Sequence, residues 1–250
     1  MGERIRLDQA LEARGLLPSR ARARDAVLRG TVRVNGVVAS KPHQPVGAAD
    51  VVTLEDPAAG YVSRAALKLI AGLDAGGIAV AGRTCLDLGA STGGFTQVLL
   101  ERGAAKVFAV DVGHDQLHER LRGESRVISL EGVNGRDLDR GLIPDQIDLL
   151  VSDVSFVSVT KVIGPGLALC AERAEAVILV KPQFEVGRDH IGKGGIVTDL
   201  DAIARARADI VAFMQTEGWA LVGEVPSPIA GGDGNRETVG VFRRKTDRAA

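Results

Sequence analysis

Arg83-Thr-Cys-Leu-Asp-Leu-Gly89-Ala-Ser-Thr-Gly93-Gly94-Phe95, followed by Val107-Phe-Ala-Val-Asp111, is the stretch that decides the fold. A short apolar run breaks at Gly89, passes through Gly93 and Gly94, and enters a helix-type segment, Thr96-Gln-Val-Leu-Leu-Glu. A second apolar run ends on a carboxylate. An open, mostly parallel sheet builds a nucleoside pocket in this way: glycines let backbone approach the ligand, and the acid accepts from ribose hydroxyls. Gly89, Ala90, Ser91, Thr92, Gly93, Gly94 and Phe95, with Asp111 and Val112, are therefore the candidate residues for an adenosine-type cofactor.

Outward from this stretch, apolar strands alternate with helix-like segments. The strands are Thr84–Leu88, Val107–Val110, Val127–Leu130, Ile147–Val151, Ala176–Val180, Ala220–Val225 and Val239–Phe242. Alternation of this kind predicts βα units and an α/β, Rossmann-like domain with a mostly parallel seven-stranded sheet. Near-continuous Val, Ile and Leu strands fit burial on both faces. Only the closing pair, after Pro226–Gly234, reads as an antiparallel edge.

The glycine order is Gly-x-x-x-Gly-Gly, which is not the dinucleotide fingerprint. S-adenosylmethionine needs backbone room but no pyrophosphate cradle, so this loop suits it better. Asp111 lies 17 residues after Gly94, at the end of the next strand, where it would accept from both ribose hydroxyls. Asn134 and Arg136, after the third strand, are placed at the edge of the adenine pocket or in a structural turn.

The first 55 residues differ in composition. Through Pro45 nine basic residues face four acids, a balance of +5, and the net charge of −1 leaves −6 for the remainder. Leu7, Ala10 and Leu11, then Leu16 and Leu17, form a short amphipathic helix that Gly15 ends. Ser19 suits the N-cap of a second helix whose buried face is Ala23, Ala26 and Val27. Arg20, Arg22 and Arg24 crowd its exposed side. Asn35-Gly36 supplies the turn of a hairpin, and Val51–Leu54 is a further strand. This head, through Arg6-Leu-Asp8, Ser19-Arg20, and Arg29-Gly30 with Val32-Arg-Val34-Asn-Gly36, resembles the small α+β RNA-binding domain of ribosomal small-subunit protein S-four. The resemblance implies phosphate contacts from Arg6, Arg20, Arg22 and Arg24, with Ser63 and Arg64 guiding RNA beyond the linker. Asp56-Pro57-Ala-Ala-Gly60 is a compositional break. The expected division is a head over 1–55, a linker over 56–62 and a catalytic domain over 63–250.

Two motifs invite other readings. Gly187-Arg-Asp-His-Ile-Gly192-Lys193 matches a phosphate-binding loop until Gly194 stands where Ser or Thr would ligate magnesium. His114-Asp-Gln-Leu-His118 imitates a zinc-protease helix, but no further ligands accompany it, so a surface helix without metal is expected. Cys85 and Cys170 sit among apolar neighbours and read as reduced, buried thiols, which fits a cytoplasmic location. No apolar run approaches the roughly 20 residues that span a bilayer, so no membrane partner is expected.

Four ionisable residues fall at successive strand ends or beside them: Lys68, Asp153, Lys181 and Glu237. A single strand-end charge is usually a solvated one, but four in this arrangement are a constellation. With Gly89-Ala-Ser-Thr-Gly-Gly-Phe95, Ser152-Asp-Val-Ser-Phe156, Leu179-Val-Lys-Pro-Gln-Phe-Glu-Val186 and Gly234-Asn-Arg-Glu237 on the page, the chain resembles the TlyA-type haemolysin/ribosomal RNA 2′-O-methyltransferase family with an FtsJ-like catalytic domain. That resemblance implies a Rossmann-like methyltransferase, S-adenosylmethionine as methyl donor, a Lys68-Asp153-Lys181-Glu237 catalytic tetrad, with Asp153 also near the cofactor, and a cytidine ribose in ribosomal RNA as acceptor. Departures are Tyr61 where the family usually has Trp, and Thr238 where an aromatic usually follows the glutamate.

Lys181 is the expected hydroxyl activator. As a base it must be neutral, which burial and the like charge of Lys68 favour, whereas Asp153 and Glu237 favour an ammonium that orients the hydroxyl and stabilises developing alkoxide. With aromatics only 3% of the chain, phosphate and shape recognition are expected to dominate over base stacking. Competing classes are a non-catalytic rRNA-binding or ribosome-assembly factor, a membrane-lytic protein, and a small-molecule methyltransferase, the last of which leaves the Arg-rich head without a task.

Overall fold

The computed structural model describes residues 4–245. The chain forms two compact units that part between Gly60 and Tyr61.

In the first unit, β1 (Ile5–Arg6), α1 (Leu7–Ala13) and α2 (Arg20–Leu28) precede β2 (Val32–Val34), β3 (Val37–Val38), β4 (Pro45–Val46) and β5 (Val52–Leu54). The apolar spacing of the two helices sets Leu7, Ala10 and Leu11 against Ala23, Ala26 and Val27, all fully buried. Ser19 Oγ accepts from the Arg22 N–H at 3.3 Å, capping α2 as its sequence position predicts. Asn35 and Gly36 both take positive φ, 52° and 81°, the geometry that a two-residue hairpin between β2 and β3 requires. β2 also pairs with β5, and β1 with β4.

The Asp56–Gly60 break is not a free linker. Arg29 donates twice to Asp56, at 2.8 and 2.6 Å, and once to Asp25 at 2.8 Å. Asp56 in turn accepts from the N–H of Ala58, which is fully buried. Burial alone pushes the Asp56 carboxyl up, but the Arg29 hydrogen bonds hold it below the usual carboxylate range. A half-buried ion pair ties this segment to the first unit.

The second unit opens with α3 (Ala66–Gly76), then β6 (Thr84–Leu88), α4 (Gly94–Glu101), β7 (Lys106–Asp111), α5 (Glu119–Arg122) and β8 (Val127–Glu131). β9 (Ile147–Ser152), α6 (Gly164–Ala168), β10 (Cys170–Val180), α7 (Pro182–Glu185), α8 (Leu200–Thr216), β11 (Trp219–Pro226) and β12 (Thr238–Arg244) follow. The seven strands lie in the order β11-β12-β10-β9-β6-β7-β8. All seven expected strands are present. β12 is the antiparallel member, and it lies inside the sheet between β10 and the edge strand β11. Lys68 sits in a helix that begins at Ala66, not at Tyr61.

Side chains alternate along the strands and so build two cores. Cys85, Leu149, Val151, Val177, Leu179, Val239 and Val241 pack toward α3 and α4. Leu86, Leu88, Leu150, Ile178, Val180 and Phe242 pack on the other face with Ile210 and Met214 of α8. From β6 the chain runs to β7 and β8 on one side, then crosses to β9 on the other. The β6/β9 junction is therefore the topological switch point, where open α/β sheets bind ligands. No helix among the described residues is long and apolar enough to cross a membrane.

Candidate active site

Period-2 alternation places three of the four charged residues. Continuing Leu149, Val151 gives Asp153; Val177, Leu179 gives Lys181; Val241, Val239 gives Glu237. Each lies one residue beyond its strand, on the α3 face. The β10–β12 register ends with Val180 opposite Thr238, and one step further sets Lys181 opposite Glu237. α3 supplies Lys68 from above. Lys68 Nζ meets Glu237 Oε2 at 2.5 Å, and Lys181 Nζ meets Asp153 Oδ1 at 2.6 Å. Lys68, Lys181 and Glu237 are buried. The constellation forms two Lys–carboxylate pairs at adjoining strand ends.

A close helix–sheet approach makes the first pair possible. A Cβ on Gly72 would lie 2.6 Å from both Val177 Cγ1 and Val239 Cγ1. Gly72 follows Lys68 by one helical turn on the same face, so its missing side chain lets α3 sit close enough for Lys68 to reach Glu237. This glycine was not singled out from the sequence, although its spacing of four from Lys68 in Leu67-Lys-Leu-Ile-Ala-Gly72 was visible.

Beside these pairs a cavity of about 440 Å³ opens at the switch point, lined among others by Gly89, Ser91, Asp111, Val112, Asn134 and Asp153. Its size is that of a small-molecule pocket. Gly89 has φ +87°, and a Cβ there would come within 3.0 Å of the Val154 nitrogen, so only glycine lets the loop pass so near the Asp153 segment. Asp111 accepts from the N–H of Ser91 and of Gly113, both at 2.8 Å, which fixes the loop against the β7 end. Each carboxylate oxygen keeps a lone pair for a further donor such as a ribose hydroxyl. Asn134 Oδ1 caps the turn to Arg136 at 3.0 Å, and Arg136 also lines the cavity.

Ala90, Thr92, Gly93, Gly94 and Phe95 do not line it. Leu117 and Leu121 fill the space against Gly93, Ser63 packs on Gly94, and Phe95 belongs to the core. A side chain at either glycine would collide with those groups. Ser155, Phe156 and Gln116 line the cavity without having been anticipated. Phe156 takes φ +66°, is 91% exposed, and lies 5.4 Å from the Phe184 ring centroid. An aromatic next to Asp153-Val-Ser155 was the available signal.

Asp87, buried on β6, accepts from Thr96 Oγ1 at 2.7 Å while its other oxygen has no partner. Burial pushes its carboxyl up to about 7, with Asp153 adding to the effect. Burial likewise pushes both thiols, Cys85 and Cys170, up to about 12 and leaves them inert. Asn235, 1% exposed, accepts from the Val197 N–H and donates to the Gly195 carbonyl, both at 2.9 Å. It pins the glycine-rich segment to the strand start that carries Glu237.

The expected helix at His114–His118 is instead a loop. Glu131 accepts from the N–H groups of Asp115, Gln116 and Leu117, Asp115 takes φ +55°, and α5 starts only at Glu119. Among the described residues no group of three metal-capable side chains converges. The Gly187–Lys193 segment forms short 3-10 turns, and the next α-helix begins at Leu200, so no phosphate-binding loop–helix unit exists there.

In the first unit Arg20 and Arg24 are exposed. Arg6 donates to buried Asp8 at 3.0 and 2.7 Å, and Arg22 to the Ala58 carbonyl at 2.9 Å. Ser63 and Arg64 are half-buried in the second unit, where Ser63 Oγ accepts from the Ala65 N–H at 3.2 Å.

Sheet order, switch-point cavity and glycine loop define a methyltransferase of the Rossmann-like type. The FtsJ-like methyltransferase family model matches residues 61–244, and the S4 domain model residues 5–52. The chain is 47% identical to the 16S/23S rRNA (cytidine-2′-O)-methyltransferase TlyA of Mycobacterium tuberculosis, over 100% of this chain and 93% of that one. It is 41% identical to Hemolysin A of Brachyspira hyodysenteriae, over 95% and 99% of the two chains. A solved hemolysin-type structure from Streptococcus thermophilus superposes with a TM-score of 0.76 at 35% identity, covering 99% of this chain and 90% of that one. The chain belongs to the TlyA branch of the FtsJ-like methyltransferases.

Proposed function

We propose that this enzyme methylates the 2′-oxygen of a ribose, a cytidine in ribosomal RNA, with S-adenosylmethionine as donor. The observation that carries it is the pairing of Lys181 with Asp153, which lines the cavity together with Gly89 and Asp111. The residues fit that cofactor. Gly89 and Ser91 would receive its amino-acid part, Asp111 the ribose hydroxyls, and Val112 with Asn134 the adenine. Bound there, S-adenosylmethionine supplies a methyl already activated on a sulfonium sulfur.

The protein has to place the acceptor and manage its proton. Lys181 Nζ is the buried polar atom that meets the acceptor oxygen, and the Asp153 carboxylate behind it balances the charge. Lys68 pairs with Glu237, so the second carboxylate is compensated and the two ammonium groups stay separately partnered. Phe156, exposed at the cavity rim, offers an aromatic face for the target base, a stacking contact that the aromatic-poor composition did not suggest. Arg20 and Arg24 supply sequence-independent phosphate contacts from the first unit.

The test is transfer of labelled methyl from S-adenosylmethionine to isolated small and large ribosomal subunits, with the modified position mapped. Label on a cytidine ribose is the expected result. Label on a base, or none on either subunit despite cofactor binding, would overturn the proposal.

A further inference from the structure

Lys181 Nζ donates two hydrogen bonds and pairs with a carboxylate. Asp153 Oδ1 lies at 2.6 Å, the Asp153 backbone carbonyl at 3.1 Å and Ser155 Oγ at 2.7 Å. The first two acceptors belong to a residue fixed in place: the Asp153 N–H donates to the Leu88 carbonyl at 3.2 Å, and its side chain is only 14% exposed. Ser155 differs from both. It is exposed and lines the cavity, so the donor directed at it is the one that faces the cavity. Among these acceptors Ser155 is the exposed one, so its side of Nζ is the side from which a hydroxyl arrives.

We propose that Ser155 is a positioning residue for Lys181. It holds Nζ aimed at the place where the acceptor oxygen is received, and it yields that donor when the ribose 2′-hydroxyl arrives. The inference rests on the role given above to Lys181. Without the serine hydroxyl, Nζ has acceptors only on its Asp153 side and turns from the cavity. The consequence falls on turnover with bound substrate, not on the binding of either substrate.

Full-length Ser155→Ala, Ser155→Thr and Lys181→Ala enzymes, assayed for methyl transfer to ribosomal subunits and for S-adenosylmethionine affinity by calorimetry, test it. The expected result for Ser155→Ala is a kcat about tenfold lower, with KM for the subunits and cofactor affinity within about twofold. Ser155→Thr, which keeps the hydroxyl, restores most of the rate. A Ser155→Ala enzyme with unchanged kcat, or Ala and Thr variants equally impaired, overturns the assignment while an inactive Lys181→Ala leaves the role of Lys181 standing. An active Lys181→Ala overturns that underlying role and the assignment with it.

Discussion

In the first unit two half-buried ion pairs, Arg29 with Asp25 and with Asp56, tie α2 to the segment that follows β5. In the second unit the buried pairs Lys68–Glu237 and Lys181–Asp153 gather just beyond strand ends, and the second of them borders a cavity. Burying charge costs several kcal/mol per ion unless a partner and further hydrogen bonds compensate it. Between two pieces of scaffold, that compensated charge fastens the chain. At the edge of a cavity, the same arrangement leaves a lysine donor within reach of a solute. Placement relative to the switch point, rather than the pairing itself, separates a structural ion pair from a candidate catalytic one.

Asp87 is the limiting case, a buried carboxylate that pairs with no cation among the described residues, and it gives the largest expected effect on stability. Burial pushes its folded-state carboxyl up to about 7, above the ordinary aspartate value of about 3.9. The folded state therefore holds the proton more tightly, so this stabilising contribution is complete below about pH 4 and is lost as pH rises toward 7. At about 1.4 kcal/mol per pH unit, the loss reaches up to about 4 kcal/mol. Asp87→Asn keeps an acceptor for Thr96 and removes the titration. Urea unfolding followed through Trp219, buried in the second unit, should show less loss of stability between pH 4.5 and 8 in the variant than in the unaltered protein. Equal pH dependence in the two would contradict the account of Asp87.

Gly72→Ala attacks the geometry of the Lys68–Glu237 pair without changing a charge. Its Cβ would collide with Val177 and Val239, at a cost of about 1–3 kcal/mol, and would lift α3 from the sheet. Methyl transfer should fall at least about tenfold while cofactor affinity changes little. Normal turnover in a folded Gly72→Ala protein would show that Lys68 need not reach Glu237. The smallest effect belongs to the first unit. Arg24→Ala, at an exposed position, should leave stability unchanged and lower the slope of log K against log salt for RNA binding by roughly 0.7–0.9. An unchanged slope would remove Arg24 from the phosphate contacts.

The strands were legible because burial on both faces leaves runs such as Val177-Ile-Leu-Val180 that no surface element tolerates. Strand ends then exposed Asp153, Lys181 and Glu237 as candidates. Their partners were not legible: Lys68 and Glu237 lie 169 residues apart, and only the packing of α3 on β10 and β12 joins them. The glycine loop was read for ligand approach alone, and the sequence did not show that Leu117, Leu121 and Ser63 also crowd Gly93 and Gly94. Local spacing reports that a position must be small, not what occupies the space. His114–His118 failed as a helix for a similar reason, since the distant Glu131 carboxylate claims its backbone N–H groups.

The most direct test of the central claim, that the cofactor wall and the acceptor-side lysine are separable parts of one site, compares Lys181→Ala and Asp111→Ala in parallel. S-adenosylmethionine binding would be measured by calorimetry, and methyl transfer on ribosomal subunits. Lys181→Ala is predicted to bind the cofactor normally and to lose about 10²–10⁴ in transfer rate, whereas Asp111→Ala loses binding. A Lys181→Ala protein that binds cofactor and transfers methyl at the unaltered rate would contradict the account.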